Sequence, residues 1–177
     1  YLAENGHEVA IVTTSQNGRE PFFPLSPKAR MISIDIDFDR QYRYNTVLRA
    51  CVYFIYMRRY KRALTRLLCE EKPDIVITTL GRDMEFLTSI RDGSVKIGES
   101  HVAKEYSRNF HLLEQRGGIY KYVARHWRRK QEKAVSRLAA LVLLTGHDAA
   151  SWQGTARTYV IPNSLPFYPG QSSACEN

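Results

Sequence analysis

The fold class follows from one segment of the chain, Lys72-Pro73-Asp74-Ile75-Val76-Ile77-Thr78-Thr79-Leu80-Gly81. Its proline disfavours helix at the residue before it, so the helical pattern upstream must end here. The β-branched run that follows is typical of a buried strand in a parallel sheet. A long helix that leads into such a strand predicts an α/β fold.

The same alternation of strands and helices extends outward from this segment. Strand patterns cover residues 7–14, 31–36, 95–100, 140–145 and 159–163, and helical patterns cover 46–71, 119–138 and a short stretch from Asp148. The sequence therefore predicts a Rossmann-like, three-layer α/β/α domain with a mostly parallel sheet over residues 1–163. The remaining residues, 164–177, are rich in Pro, Gly and Ser and are interpreted as a linker.

Composition restricts the function classes. The 177 residues are 44% hydrophobic and 25% charged, which is ordinary for one globular domain and argues against disorder. The longest apolar runs are far shorter than the roughly 20 residues of a membrane span. Three scattered cysteines (Cys51, Cys69 and Cys175) fit a reducing cytoplasm better than a disulfide framework. A net charge of +8 favours an anionic partner of some kind.

The first residues read as the end of a helix. Gly6 stands where a glycine with positive φ would terminate that helix, and a strand pattern follows at once. The chain thus begins in mid-element, and we expect it to be a fragment of a longer protein.

In open parallel sheets, ligands bind beyond the carboxyl ends of the strands. That rule directs attention to residues 78–82, 99–104, 145–148 and 162–164. His101 directly follows a predicted strand, where an imidazole can hydrogen-bond a substrate hydroxyl or a developing charge near neutral pH; the alternative is a loop histidine with a local hydrogen bond. Gly81 and Arg82 could receive an anionic or sugar substrate, or simply form a turn with a solvated arginine. Asp148 is predicted to cap the next helix.

The helix predicted at 119–138 is strongly basic, and aromatic residues lie among its cations. Such a helix fits adsorption to an anionic membrane, and Trp127, Arg128 and Arg129 are its predicted membrane-facing residues. Nucleic-acid phosphates or plain solvent would also satisfy these charges. The aromatic residues of the 46–71 helix are instead expected to pack in the core or at an interface: Tyr53, Phe54, Tyr56 and Tyr60.

Several catalytic signatures are absent from the sequence. It contains no GxGxxG, GxxxxGK[ST], HExxH or GxSxG motif, and its five histidines stand apart from one another. No metal site is predicted from that spacing.

Five segments in order resemble the N-terminal domain of family 4 (group 1) glycosyltransferases. They are a helix end and strand at 2–13, the Lys-Pro-Asp-Ile-Val strand at 72–77, a strand ending in histidine at 96–101, the strand at 141–145, and Val-Ile-Pro-Asn at 160–163. Together they cover nearly the whole chain.

This resemblance implies a GT-B architecture, in which two Rossmann-like domains face a cleft. It also implies that the first strand of this domain lies before Tyr1 and is missing from the chain. The activity would be that of a retaining hexosyltransferase without a required metal or other cofactor. Its donor would be a nucleotide sugar, such as a UDP- or GDP-sugar, held mainly by a C-terminal domain that this chain lacks, so the fragment alone would be inactive. The acceptor would be a saccharide or a lipid-linked acceptor in cell-surface polysaccharide synthesis. The enzyme would be cytoplasmic, peripheral at the inner membrane face, with no nucleic-acid partner.

The resemblance also implies roles for single residues. His101 would point at the donor sugar near its reacting carbon and is the predicted catalytic residue. The predicted residues of the acceptor and donor-sugar cleft are Gly81, Arg82, Glu99, Ser100, Lys104, Thr145 and Asn163. Two alternatives stay open: a nucleotide-sugar epimerase of the same architecture, and a basic nucleic-acid-binding module that is supported by charge alone.

Overall fold

The computed structural model of the protein describes residues 1–163, apart from the side chains at 46, 108–110 and 113. The predicted linker at 164–177 lies outside the described residues. Two compact units divide the chain: the first contains residues 1–74 and 89–94, and the second contains residues 75–88 and those from 95 onward. The sequence predicted one sheet, whereas each unit has a parallel sheet of its own.

The first unit is built from two strands and one long helix. They are β1 (Val9–Thr13), β2 (Ala29–Ser33) and α1 (Thr46–Glu71). The strands pair in parallel, from Val9 opposite Ala29 to Thr13 opposite Ser33. Gly6 ends a short 3₁₀ segment with φ 89°, so the predicted glycine terminator is confirmed.

Helix α1 has the bounds that the sequence predicted, because both of its ends are encoded locally. Asn45 caps its first turn by accepting a hydrogen bond from the Leu48 N–H at 3.0 Å. Lys72 ends it in the left-handed region with φ 46°, directly before Pro73.

One side of α1 forms the core of the first unit. Phe38 is 2% exposed, and its ring packs edge-on against Tyr60 with the centroids 5.8 Å apart. Leu64 and Leu68 are buried on the same side of the helix. Phe54, in contrast, is 62% exposed, so of the two predicted environments, core or interface, it does not lie in the core.

The second unit contains the four-stranded sheet. Its elements are β3 (Ile75–Thr78), β4 (Val95–Ser100), α2 (Phe110–Gln115), α3 (Gly118–Val135), β5 (Ala140–Leu143), α4 (Gly146–Ser151) and β6 (Thr158–Val160). The strands lie in the order β3-β4-β5-β6 and every pair is parallel, which confirms the predicted α/β class with a Rossmann-like alternation. Between β4 and α3, where the sequence predicted neither a helix nor a strand, the chain forms a 3₁₀ segment (Lys104–Asn109) and α2.

The core of the second unit packs closely against strand β4. A Cβ atom at Gly98 would lie 2.6 Å from Leu138 Cδ1, 3.0 Å from Leu80 Cδ2 and 3.1 Å from Leu141 Cδ1. Only glycine fits there without displacing a neighbour. Leu80 adopts a left-handed conformation with φ 55°, which turns the chain sharply after β3 while its side chain stays in the core. Within the described residues, no helix combines the length and the apolar character that crossing a bilayer requires.

Candidate functional site

The candidate site lies at the carboxyl edge of the four-stranded sheet. The register pairs Thr78 with Gly98, Ser100 with Leu143, and Leu143 with Val160, so the strands end side by side. All the predicted cleft residues follow or complete these strands: Gly81 and Arg82 after β3, Glu99, Ser100, His101 and Lys104 at the end of β4, Thr145 after β5, and Asn163 after β6. Parallel pairing therefore brings together segments that are far apart in the sequence.

His101 and Glu99 form a pair at the end of β4. The His101 Nε2 atom lies 3.3 Å from the Glu99 Oε1 atom, and the two side chains are 45% and 37% exposed. At this distance the carboxylate can accept a hydrogen bond from the Nε2–H of the imidazole. The pair is accessible from solvent.

The turn after β3 is closed by its own polar groups. The Thr78 hydroxyl donates to the Asp83 carboxylate, and a Cβ at Gly81 would lie only 2.9 Å from Asp83 Oδ1. The proton of the Thr78 hydroxyl is therefore used in a hydrogen bond within the turn. Arg82 opens the following 3₁₀ segment and is half-buried.

The Ser100 side chain forms a hydrogen bond with the backbone of the next turn. The side chain is buried, and its hydroxyl donates to the Val102 carbonyl at 2.8 Å. This hydrogen bond shapes the turn that carries His101, so Ser100 positions that residue.

Lys104 connects three elements of the second unit. Its Nζ atom lies 3.0 Å from Glu132 Oε1 on α3, donates to the Ser151 carbonyl at 3.0 Å, and stands 4.5 Å from the centre of the Trp152 ring. Its backbone N–H donates to Asp148 Oδ1 at 3.1 Å. An ammonium with this many partners organises the edge of the sheet. Glu132, Ser151 and Trp152 were not predicted, since they lie far from residue 104 in the sequence and no motif links them to it.

The helix cap after β5 differs from the predicted one. Thr145 is the capping residue, and its Oγ1 atom accepts a hydrogen bond from the Asp148 N–H at 3.2 Å. The prediction that Asp148 caps α4 is therefore wrong. Asp148 lies inside the helix and is buried, and its carboxylate accepts the Lys104 N–H instead. Thr145 itself is exposed, as is Asn163 beyond Pro162.

The three predicted membrane-facing residues of α3 have different surroundings. Arg129 is exposed, but the Arg128 Nη2 atom lies 3.1 Å from Glu114 Oε2 on α2 and its side chain is half-buried. Trp127 is half-buried beneath Lys130, whose Nζ atom is 4.7 Å from the ring centre. The most exposed apolar residues of α3 lie in its first turns instead and are Ile119 (73%) and Tyr122 (71%).

Among residues 1–163, no group of three or more His, Cys, Asp or Glu side chains is placed to hold a metal ion. In the first unit, two carboxylates have lowered pKa values. Hydrogen bonds from the Ser33 hydroxyl and the Asn17 N–H lower the pKa of Asp35, and Arg30 lowers the pKa of Glu71 through a hydrogen bond and its charge.

Comparison of the chain with protein-family models and with curated proteins gave no match. The site is therefore interpreted from its own residues, and the resemblance to glycosyltransferases remains a prediction.

Proposed function

We propose that this chain is the acceptor-side part of a retaining glycosyltransferase of GT-B architecture, acting in cell-surface polysaccharide synthesis. The observation that carries the proposal is the exposed His101–Glu99 pair at the carboxyl edge of an all-parallel sheet. Ligands of open α/β sheets bind at this edge. The order of the strand segments that resemble the family adds support.

Glycosyl transfer breaks the bond between the anomeric carbon and the diphosphate of a nucleotide sugar, and forms a bond from that carbon to an acceptor oxygen. The diphosphate leaves with the bonding electron pair, and one of its oxygens takes up the proton that the acceptor hydroxyl loses. Catalysis then depends mainly on orientation and on stabilising charge. In the proposed mechanism, no metal or other cofactor is needed.

The residues of this chain would divide that work. The His101 imidazole, oriented by Glu99, would hydrogen-bond the donor sugar near its reacting carbon. The Arg82 guanidinium would face phosphate charge, and the backbone at Gly81 would allow close approach. Lys104 and Ser100 would act as positioning residues, because both are engaged within the protein. Thr145 and Asn163 would border the cleft.

The proposed enzyme works peripherally at the inner face of the membrane on a lipid-linked or saccharide acceptor. Support comes from α3, where exposed Ile119 and Tyr122 lie among exposed Lys121, Arg125 and Arg129. Aromatic and aliphatic side chains bordered by cations fit the interface of an anionic bilayer. On this reading Arg128, paired with Glu114, is a structural residue.

The test is sugar transfer by the full-length protein with UDP- or GDP-sugars. We expect His101→Ala to lower transfer by about 100-fold or more, the order of magnitude for loss of one transition-state hydrogen bond. Glu99→Gln keeps the shape of the side chain and should lower transfer less. His7→Ala alters an exposed histidine of the first unit and is the matched control.

Near-normal turnover of the His101→Ala protein would refute the assignment. Isomerisation of a nucleotide sugar in the absence of any acceptor would identify an epimerase instead. Tight, steeply salt-dependent binding to duplex DNA without transfer would favour the nucleic-acid module.

A further inference from the structure

Helix α1 presents to solvent a side that is apolar over its first turns. Its buried side contains Tyr60, Leu64 and Leu68, and at 100° per residue the exposed positions cover about half of the helix circumference. In the first half of the helix these positions are Val47 (78% exposed), Leu48 (46%), Cys51 (exposed), Phe54 (62%) and Ile55 (53%). We name these five residues the apolar half of the α1 outer face.

The same outer face becomes strongly basic in the second half of the helix. Its exposed cations are Arg58, Arg59, Lys61, Arg62 and Arg66, which we name the basic half. Glu70 lies 3.5 Å from Arg66 and offsets part of this charge. The face therefore changes along the helix axis from apolar to cationic, whereas an ordinary amphipathic helix changes around its circumference.

We propose that the outer face of α1 docks obliquely on an anionic lipid bilayer, with the apolar half inserted at the acyl boundary and the basic half against lipid phosphates. The apolar half is a contiguous exposed patch of a kind that marks interaction sites. Charge complementarity to anionic headgroups selects the bilayer as its occupant, because arginine forms bidentate contacts with phosphate.

The dimensions of α1 agree with such a docking. Cys51 and Arg62 mark the middle of the two halves and are about 16 Å apart along the axis at 1.5 Å per residue. A tilt of about 30° therefore sets the apolar half about 8 Å deeper than the basic half, which is the depth reached by interfacial helices. A nucleic acid would use the arginines but would leave Val47, Leu48 and Ile55 without a role, since aliphatic side chains do not stack on bases.

This inference is independent of the proposed transferase activity, because vesicle binding is measured without any sugar donor. The full-length protein is sedimented with vesicles of equal parts phosphatidylcholine and phosphatidylglycerol, and with vesicles of phosphatidylcholine alone. We expect binding to the anionic vesicles that weakens with salt. Arg58→Glu with Arg62→Glu should weaken it about 25-fold or more, from about fivefold for each lost cation. Phe54→Ser with Ile55→Ser should weaken it about tenfold or more.

Two controls separate the outer face from general charge and from α3. Lys28→Glu with Arg91→Glu changes the net charge equally at exposed positions of the first unit and should retain binding within a few-fold. Arg125→Glu with Arg129→Glu tests the surface of α3 and should weaken vesicle binding less than Arg58→Glu with Arg62→Glu does. Unchanged thermal unfolding shows that each variant is folded.

Depth along α1 is measured through its own cysteines. Cys51 and Cys69 are both exposed, and they lie about 27 Å apart on the same side of the helix. Each is labelled in turn with a polarity-sensitive fluorophore in full-length protein whose other cysteines are replaced by serine. On anionic vesicles we expect a blue shift and quenching by lipid-borne quenchers at Cys51, and neither at Cys69.

Equal shifts at both cysteines, or none at Cys51, would overturn the oblique docking. Vesicle binding that survives the Phe54 and Ile55 changes would overturn the insertion of the apolar half. Loss of nucleic-acid binding in the Arg58 and Arg62 variant, with no vesicle binding by the unmodified protein, would assign the face to nucleic acid instead.

Discussion

Replacing Gly98 by alanine tests how tightly the core of the second unit supports the candidate site. The added Cβ would lie 2.6 Å from Leu138 Cδ1, 3.0 Å from Leu80 Cδ2 and 3.1 Å from Leu141 Cδ1. Carbon atoms in contact are about 3.5–4 Å apart, so the Leu138 methyl group must retreat by about 1 Å. All three leucines are buried, and none can move toward solvent without disturbing the core.

The magnitude follows from two opposing effects. Overpacking a well-filled core costs about 1–3 kcal/mol. Alanine in a strand loses less backbone entropy on folding than glycine does. Because Gly98 has no positive φ, this difference should stabilise the Gly98→Ala protein by about 0.5–1 kcal/mol and offset part of the packing cost. The free energy of unfolding should therefore fall by about 1 kcal/mol, which corresponds to about 3 °C in Tm for a chain of this size.

Urea and thermal unfolding, followed by circular dichroism, measure the effect. Gly146→Ala is the matched control, since a Cβ there meets nothing within 4 Å and the residue opens α4 without a positive φ. It should be neutral or slightly stabilising. Combining Gly98→Ala with Leu138→Val removes the clashing methyl group, so the pair should cost about 1 kcal/mol less than the sum of the single changes. Full stability of Gly98→Ala, or strict additivity of the pair, would refute the packing argument.

Two further predictions concern single charges. Lys104→Met keeps the aliphatic stem but removes the ammonium partner of the Glu132 carboxylate, so the free energy of unfolding should fall by about 2 kcal/mol. Adding Glu132→Gln to this variant should lower the free energy of unfolding little further. A second loss of about 2 kcal/mol would contradict the pairing of the two side chains. Asp35→Asn removes a carboxylate whose pKa the Ser33 hydroxyl and the Asn17 N–H hold below the ordinary 3.8. The ionised carboxylate stabilises the folded protein above pH 3.8, and this stabilisation is lost as the pH falls through the lower pKa of the folded state. The difference in unfolding free energy between the Asp35→Asn protein and the unmodified protein should therefore be widest at neutral pH and should disappear in acid. A difference that does not vary with pH would contradict this prediction.

The elements that the sequence predicted well are those with local causes. Helix α1 begins and ends as predicted because Asn45 caps it and Pro73 stops it within one turn of each end. The strand β4 likewise covers Val95–Ser100 as predicted. A β-branched run or a proline acts on its immediate neighbours, so its effect can be read without knowing the rest of the chain.

The environment of the candidate site was predicted less well because it depends on contacts between distant segments. The partners of the Lys104 ammonium, Glu132 and Ser151, were not predicted. Asp148 was expected to cap a helix, but Thr145 does so and Asp148 turns inward. These contacts depend on how elements that are distant in the sequence are arranged in space.

By itself, the sequence determined the α/β class, most of the strands and helices, and the presence of His101 beside a strand end. Those features arise from backbone preferences and periodicity, which act over a few residues. Only the tertiary structure decided which polar groups have hydrogen-bonding or ionic partners and which side of α1 faces solvent. It also decided that the strands form two sheets. Aromatic and basic residues are distributed around α1, so its exposed face follows from what the first unit packs against it, and packing is a property of the whole chain.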